Sequence, residues 1–235
     1  LLYCPDLLDF LDLMISKLPR WIWTGAWILA FMAGIINVVG LLGFEHQAIT
    51  HLTGTTSMLA TQLALGQGWG SLHFAAMLAS FLAGTVLSGF LIQDGTLQMG
   101  HRYGVALFLE AILLSVAIPF LQHHHGWGVY LASCACGLQN AMVTTYSGAV
   151  VRTTHVSGMF TDLGIFLGHA LRGLSIDRRR LRLSFLIISA FLCGGIAGTL
   201  AFQWIGYFTL LLPAGLAALM ATGYEFYLFR AKSFT

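Results

Sequence analysis

Charge is scarce in this chain. Asp, Glu, Lys and Arg make up 9% of its 235 residues, whereas 57% are hydrophobic and the mean hydropathy is +0.81. Soluble domains carry about 25% charge, so a fold of this composition has too little polar surface to face water. That excludes a soluble globular enzyme, a nucleic-acid binder and a disordered chain. The net charge of +2 is small and the basic residues are clustered, which gives no support to polyanion binding. Cysteine is equally sparse. Cys4, Cys134, Cys136 and Cys193 are too few for a disulfide framework. Cys134 and Cys136 stand two apart, on different faces of a helix, and do not make a metal pair. There is no His-Glu-x-x-His, no Gly-x-Ser-x-Gly and no pairing of aspartates in facing spans, so no enzyme, metal or cofactor is expected. What remains is the composition of a polytopic membrane protein.

A transmembrane helix needs about 20 apolar residues. Residues 21–43, 73–92, 103–121, 127–149, 183–205 and 207–229 meet that length. Two shorter stretches, 51–65 and 154–171, are helix-like but dotted with Thr, Ser, His and Asp. Trp21, Trp23, Trp127 and Trp204 fall near span ends, as in an aromatic belt. The chain divides into an N-terminal extension and basic leader (1–20), a first half (21–121), a second half (127–229) and a tail (230–235). Met14-Ile-Ser-Lys-Leu-Pro-Arg reads as the native start. The upstream residues, with Asp6, Asp9 and Asp12, form either an extension or an interfacial helix.

The two halves are similar to each other. Gly34-Ile-Ile-Asn37 matches Gly137-Leu-Gln-Asn140, and His51-Leu-Thr-Gly54 matches His155-Val-Ser-Gly158. Phe81-Leu-Ala-Gly84 then matches Phe191-Leu-Cys-Gly194. With the helix-like stretches 59–66 and 163–168 that follow the knots, four landmarks in one order, two of them polar, indicate a duplicated unit.

Lys and Arg favour the cytoplasmic side. With six spans and the N-terminus inside, all 11 Lys and Arg residues fall inside. Eight spans, four in each half, would move Arg102 and Arg152 outside. Residues 44–72 contain no Lys or Arg, yet the equivalent stretch 150–182 contains Arg152, Arg172, Arg178, Arg179, Arg180 and Arg182. Opposite bias in equivalent loops predicts halves of opposite orientation. The expected fold is therefore all-α: six transmembrane helices in two inverted three-span repeats, each with a short broken or re-entrant polar helix.

The polar residues inside these spans are the candidate site. Asn37 and Asn140 occupy equivalent positions, either as interhelical glue or facing each other across a midplane solute site. Gly54 and Gly158 permit a break among residues that can satisfy the freed backbone: His51, Thr53 and Thr55 in one half, His155, Ser157 and Thr161 in the other. A helix starting after such a break aims its N–H groups at an anion or carboxylate. Gln139 completes the substrate-binding set. Asp162, flanked by His155 and His169 two helical turns away, and Glu110, alone in the third span, are candidate proton carriers. His123-His124-His125 reads as a solvated turn, and the Arg178–Arg182 cluster as a topology signal that meets anionic lipid. Gly84-x-x-x-Ser88 and Gly194-x-x-x-Gly198 are close-packing faces that would also suit a homodimer.

Gly34-Ile-Ile-Asn37, Leu52-Thr-Gly-Thr55, Gly137-Leu-Gln-Asn140 and Arg152-Thr-Thr-His-Val-Ser-Gly-Met-Phe-Thr-Asp-Leu-Gly164 together resemble the YoaK-like family of bacterial multi-pass membrane proteins, which carry a domain of unknown function (1275). The resemblance covers about residues 18 to 230 and implies an inner-membrane protein. It departs at Thr55, where that family usually has Asn. Beside the lipid bilayer, the expected partner is a small solute carried by alternating access. The competing reading is a structural, partner-binding or stress-response protein.

Overall fold

The structure, a computed structural model, describes residues 20–92, 102–147 and 151–232. The leader through residue 19, the end of the fourth predicted span at 148–149 and the tail from 233 lie outside the described residues. Helices account for almost all of the rest: α1 (Arg20–Leu42), α2 (Leu52–Ala64), α3 (Gly68–Leu91), α4 (Arg102–Gln122), α5 (Trp127–Tyr146), α6 (Val156–Leu171), α7 (Arg178–Ile205) and α8 (Leu211–Lys232), with a 3₁₀ turn at Gly206–Leu210. Among the described residues there is no strand.

Ile22–Leu42, Gly68–Leu91, Arg102–Gln122 and the run Arg178–Tyr227 are long and apolar enough to cross a membrane. These helices fit a membrane-embedded protein. The last run divides at Gly206, whose φ of 55° turns the chain between α7 and α8. α5 is long enough but diluted by Ser133, Gln139, Asn140, Thr144 and Thr145, and burial covers most of its length. Two boundaries differ from expectation. α3 begins at Gly68, because Gly68-Trp-Gly70 continues into the helix instead of breaking it. α7 begins at Arg178, because the Asp177 carboxylate caps it, accepting from the N–H groups of Arg179 (2.8 Å) and Arg180 (3.1 Å).

Packing follows the repeat. α1 lies along α7 and α5 along α3; α2 rests on α3 and α6 on α7; α4 packs against α5 and α8. Exchanging equivalent elements maps each of the first four contacts onto another. Glycine makes them possible. A Cβ on Gly34 would strike the carbonyl oxygen of Phe191, and one on Gly137 the carbonyl oxygen of Phe81. A Cβ on Gly84 would strike the carbonyl of Cys134, and one on Gly194 that of Phe31. Backbone meets backbone at four matched points, the close approach that small residues allow between apolar helices. Gly84, Ser88, Gly194 and Gly198 are thereby buried inside one chain. The faces expected to serve a homodimer are already occupied by α5 and α1, so another surface would be needed.

The helix ends gather into two layers. At one, Phe44 stacks on His124 (5.1 Å between centroids) and its N–H donates to the Tyr207 hydroxyl at 2.8 Å. His73 Nδ1 meets the Tyr130 hydroxyl at 2.9 Å there, and its Nε2 lies 3.4 Å from Glu45. The C-terminal ends of α1, α4 and α7 therefore meet the N-terminal ends of α3 and α5. At the other layer Tyr103, opening α4, packs edge-on against Tyr146, closing α5 (5.6 Å).

Candidate functional site

After α1 the chain doubles back over residues 43–51, and Asn37 holds the return. Its Oδ1 accepts from the Thr50 N–H (3.0 Å) and the Thr50 hydroxyl (2.8 Å). In the second half the Asn140 Oδ1 accepts from the Thr154 hydroxyl at 3.4 Å. Thr50 and Thr154 are equivalent, each immediately before the knot histidine. Each asparagine is thus engaged inside its own half and not with the other, because a side-chain amide at this depth takes the nearest donor.

The breaks lie at the histidines, not at the glycines. His51 (φ −98°, ψ 71°) precedes α2, and His155 (φ −91°, ψ 57°) precedes α6. Gly54 and Gly158 sit inside the first helical turn, where a Cβ would lie 2.5 Å from His51 Cδ2 and 2.6 Å from His155 Nδ1. These glycines make room for an imidazole ring; conformational freedom is not what they supply.

The knots do not converge. α2 and α6 make no contact among the described residues, and each buries one side chain, Thr55 and Met159 respectively. His51, Thr53, His155, Ser157 and Thr161 are exposed, and Asp162 is half-buried. Several hydroxyls are spent locally: Thr55 donates to the His51 carbonyl (3.2 Å) and Thr161 to the Ser157 carbonyl (3.1 Å). The midplane meeting of knot ends expected from the repeat is absent, since each short helix lies on the outer side of its own half's second long helix.

The interior holds a different polar centre. Glu110 and Gln139 are both 0% exposed. The antiparallel register set by Tyr103 against Tyr146, and by Leu121 packed into the space left by Gly128, puts Glu110 level with Gln139 across α4 and α5. Gln139 Nε2 donates to the Leu29 carbonyl of α1 at 3.1 Å. Its Oε1 and both carboxyl oxygens of Glu110 are buried with no hydrogen-bond partner among the described residues. Three buried oxygens thus lie at one level without a hydrogen-bond partner among the described residues. Ionising Glu110 with nothing bound would leave an uncompensated buried charge, which costs several kcal/mol.

One turn from this pair opens a cavity of about 390 Å³ between α1, α4, α5 and α8. Its walls are apolar, with Tyr103, Tyr146 and Tyr224 among them. Leu107 lies three residues before Glu110; Met142 and Val143 lie three and four after Gln139; Leu29 carries the carbonyl that Gln139 holds. Glu110 and Gln139 were both legible as polar residues in apolar runs. Their shared level, the partners Thr50 and Thr154, the cavity and the Glu45–His73–Tyr130 cluster were not, although a threonine before each knot histidine was a signal for the second. Among the described residues no group of His, Cys, Asp and Glu has a metal-binding arrangement.

A family model described as protein of unknown function (DUF1275) matches residues 25–223, so the chain belongs to that family. No curated protein and no solved structure matches it.

Proposed function

We propose that this DUF1275 protein is a permease for a small solute, with α1, α3, α4, α5, α7 and α8 as six spans and both termini in the cytoplasm of a bacterial inner membrane. The observation that carries the reading is Glu110, a fully buried acid with unpartnered oxygens in the middle of a helix bundle. Intramembrane ionisable groups are costly and mark ion, proton or substrate paths. The inverted arrangement is supported by direction: α1 ends in the layer where its equivalent α5 begins. The all-inside placement of Lys and Arg supports the orientation. α2 and α6 are then the re-entrant elements, one hung from each layer. Glu110 is the coupling acid, and no catalytic step is assigned.

Topology is checked by single-cysteine labelling at His124 and Ser175, both exposed, in a background free of native cysteines. Six spans put the two labels on opposite sides; eight spans put them on the same side. Activity is checked by reconstitution into liposomes with a panel of amines, amino acids, anions and weak acids. Uptake above empty vesicles should fall at least about tenfold in Glu110→Gln, a loss of about 1.4 kcal/mol or more. A folded wild-type protein that moves none of the panel would favour a partner-binding protein. The observation on that side is the exposure of α2 and α6, whose outer faces carry polar side chains with none of the described residues packed against them.

A further inference from the structure

We propose that the cavity and the Glu110–Gln139 pair form one binding site, and that its ligand is an amphiphilic amine: an apolar body with a single ammonium end. This deepens the permease reading by naming a solute class, and rests on it only for the idea that the ligand is carried.

The argument is one of complementarity. The cavity, about 390 Å³, falls in the range of small-molecule sites, roughly 300 to 1,000 Å³, which are mostly apolar with a few placed polar groups. Ile22, Leu29, Leu107, Met142 and Met220 line it, so the body of a ligand there must be hydrocarbon or aromatic. About one helical turn beyond its lining residues Leu107 and Met142 stand the two carboxyl oxygens of Glu110 and the Oε1 of Gln139, buried and without a hydrogen-bond partner among the described residues. An ammonium has three donors and no acceptor. It would meet all three oxygens and neutralise the carboxylate, which a buried ion requires. A carboxylic acid would bring like charge to Glu110, and a plain hydrocarbon would leave the oxygens orphaned. Leu107 and Leu29 separate the cavity from the oxygens and must turn aside as the ammonium passes. The path starts in the layer where α1 and α4 begin, on the cytoplasmic side in the orientation proposed above.

The test is equilibrium binding to the purified full chain in nanodiscs, using 4-phenylbutylamine, 4-phenylbutanol and 4-phenylbutanoate, with binding to empty nanodiscs subtracted. The amine should bind at least about tenfold more tightly than the alcohol, and the acid more weakly than either. Glu110→Gln should remove the amine's advantage over the alcohol. Met142→Trp, which fills the cavity, should weaken both; Leu107→Trp replaces it if that variant does not insert. Equal binding of amine and alcohol would overturn the assignment, as would an amine advantage that survives in Glu110→Gln or undiminished binding in the cavity-filled protein. Amine binding without uptake keeps the site and removes the permease. Uptake of another solute without amine binding does the reverse.

Discussion

Alanine at Gly137 should sharply lower the thermal stability of the purified protein, and alanine at Gly34 should do so to a similar extent. The added Cβ would strike the carbonyl oxygen of Phe81 in one case and of Phe191 in the other. Both are helix backbone and cannot swing aside as a side chain would, so α5 must back away from α3, or α1 from α7. Overpacking a well-filled interior costs about 1 to 3 kcal/mol, and an unyielding neighbour puts these sites at the upper end or beyond. Gly84→Ala and Gly194→Ala belong to the same set, facing Cys134 and Phe31. Gly164→Ala in α6 is the control: nothing lies within 4 Å of its Cβ position, so the change should be neutral or slightly stabilising. Unfolding temperatures in one detergent measure all five. A large loss at Gly137 with none at Gly34 would break the equivalence of the two helix pairs.

Asn37→Leu should cost more than Asn140→Leu, even though the two residues are equivalent in the repeat. Asn37 accepts two short hydrogen bonds from Thr50, itself buried, and leucine would leave that N–H and hydroxyl without a partner. Each buried donor left unmade costs about 1 to 3 kcal/mol, for a total on the order of 2 to 6 kcal/mol. Asn140 accepts one bond of 3.4 Å from a half-buried Thr154, beyond the usual range for O–H···O bonds; its loss should cost less than about 1 kcal/mol. Denaturant unfolding of both variants and of Thr50→Val measures the difference, with Thr50→Val falling between them because it removes the hydroxyl and keeps the N–H. If uptake survives in Asn37→Leu while stability falls, the amide is a lock on the chain reversal and not a solute ligand. Equal costs at both asparagines would show that the shorter bonds at Thr50 carry no extra stability.

Membrane class and helical content followed from composition alone. In a bilayer the backbone must satisfy itself within each segment, so runs of 20 apolar residues read directly as helices. The likeness of the two halves was equally legible, since Gly34, Asn37, His51 and Gly54 recur in order as Gly137, Asn140, His155 and Gly158. Other features depended on packing. The small-residue spacing at Gly84 and Gly194 predicts a close contact but says nothing about its partner, and the structure gives both faces to the chain's own helices. Glycine near a knot suggests a broken helix, yet the break moved to the histidine because the missing Cβ was needed for ring room. The two asparagines were visible as costly amides, but each found its threonine only once the chain had doubled back. Glu110 was visible as an isolated acid. Its place level with Gln139, one turn from an apolar cavity, was set by the register of α4 on α5 and by four helices enclosing the space. Composition and local pattern are properties of neighbours along the chain, whereas a register and a cavity exist only between segments far apart in it.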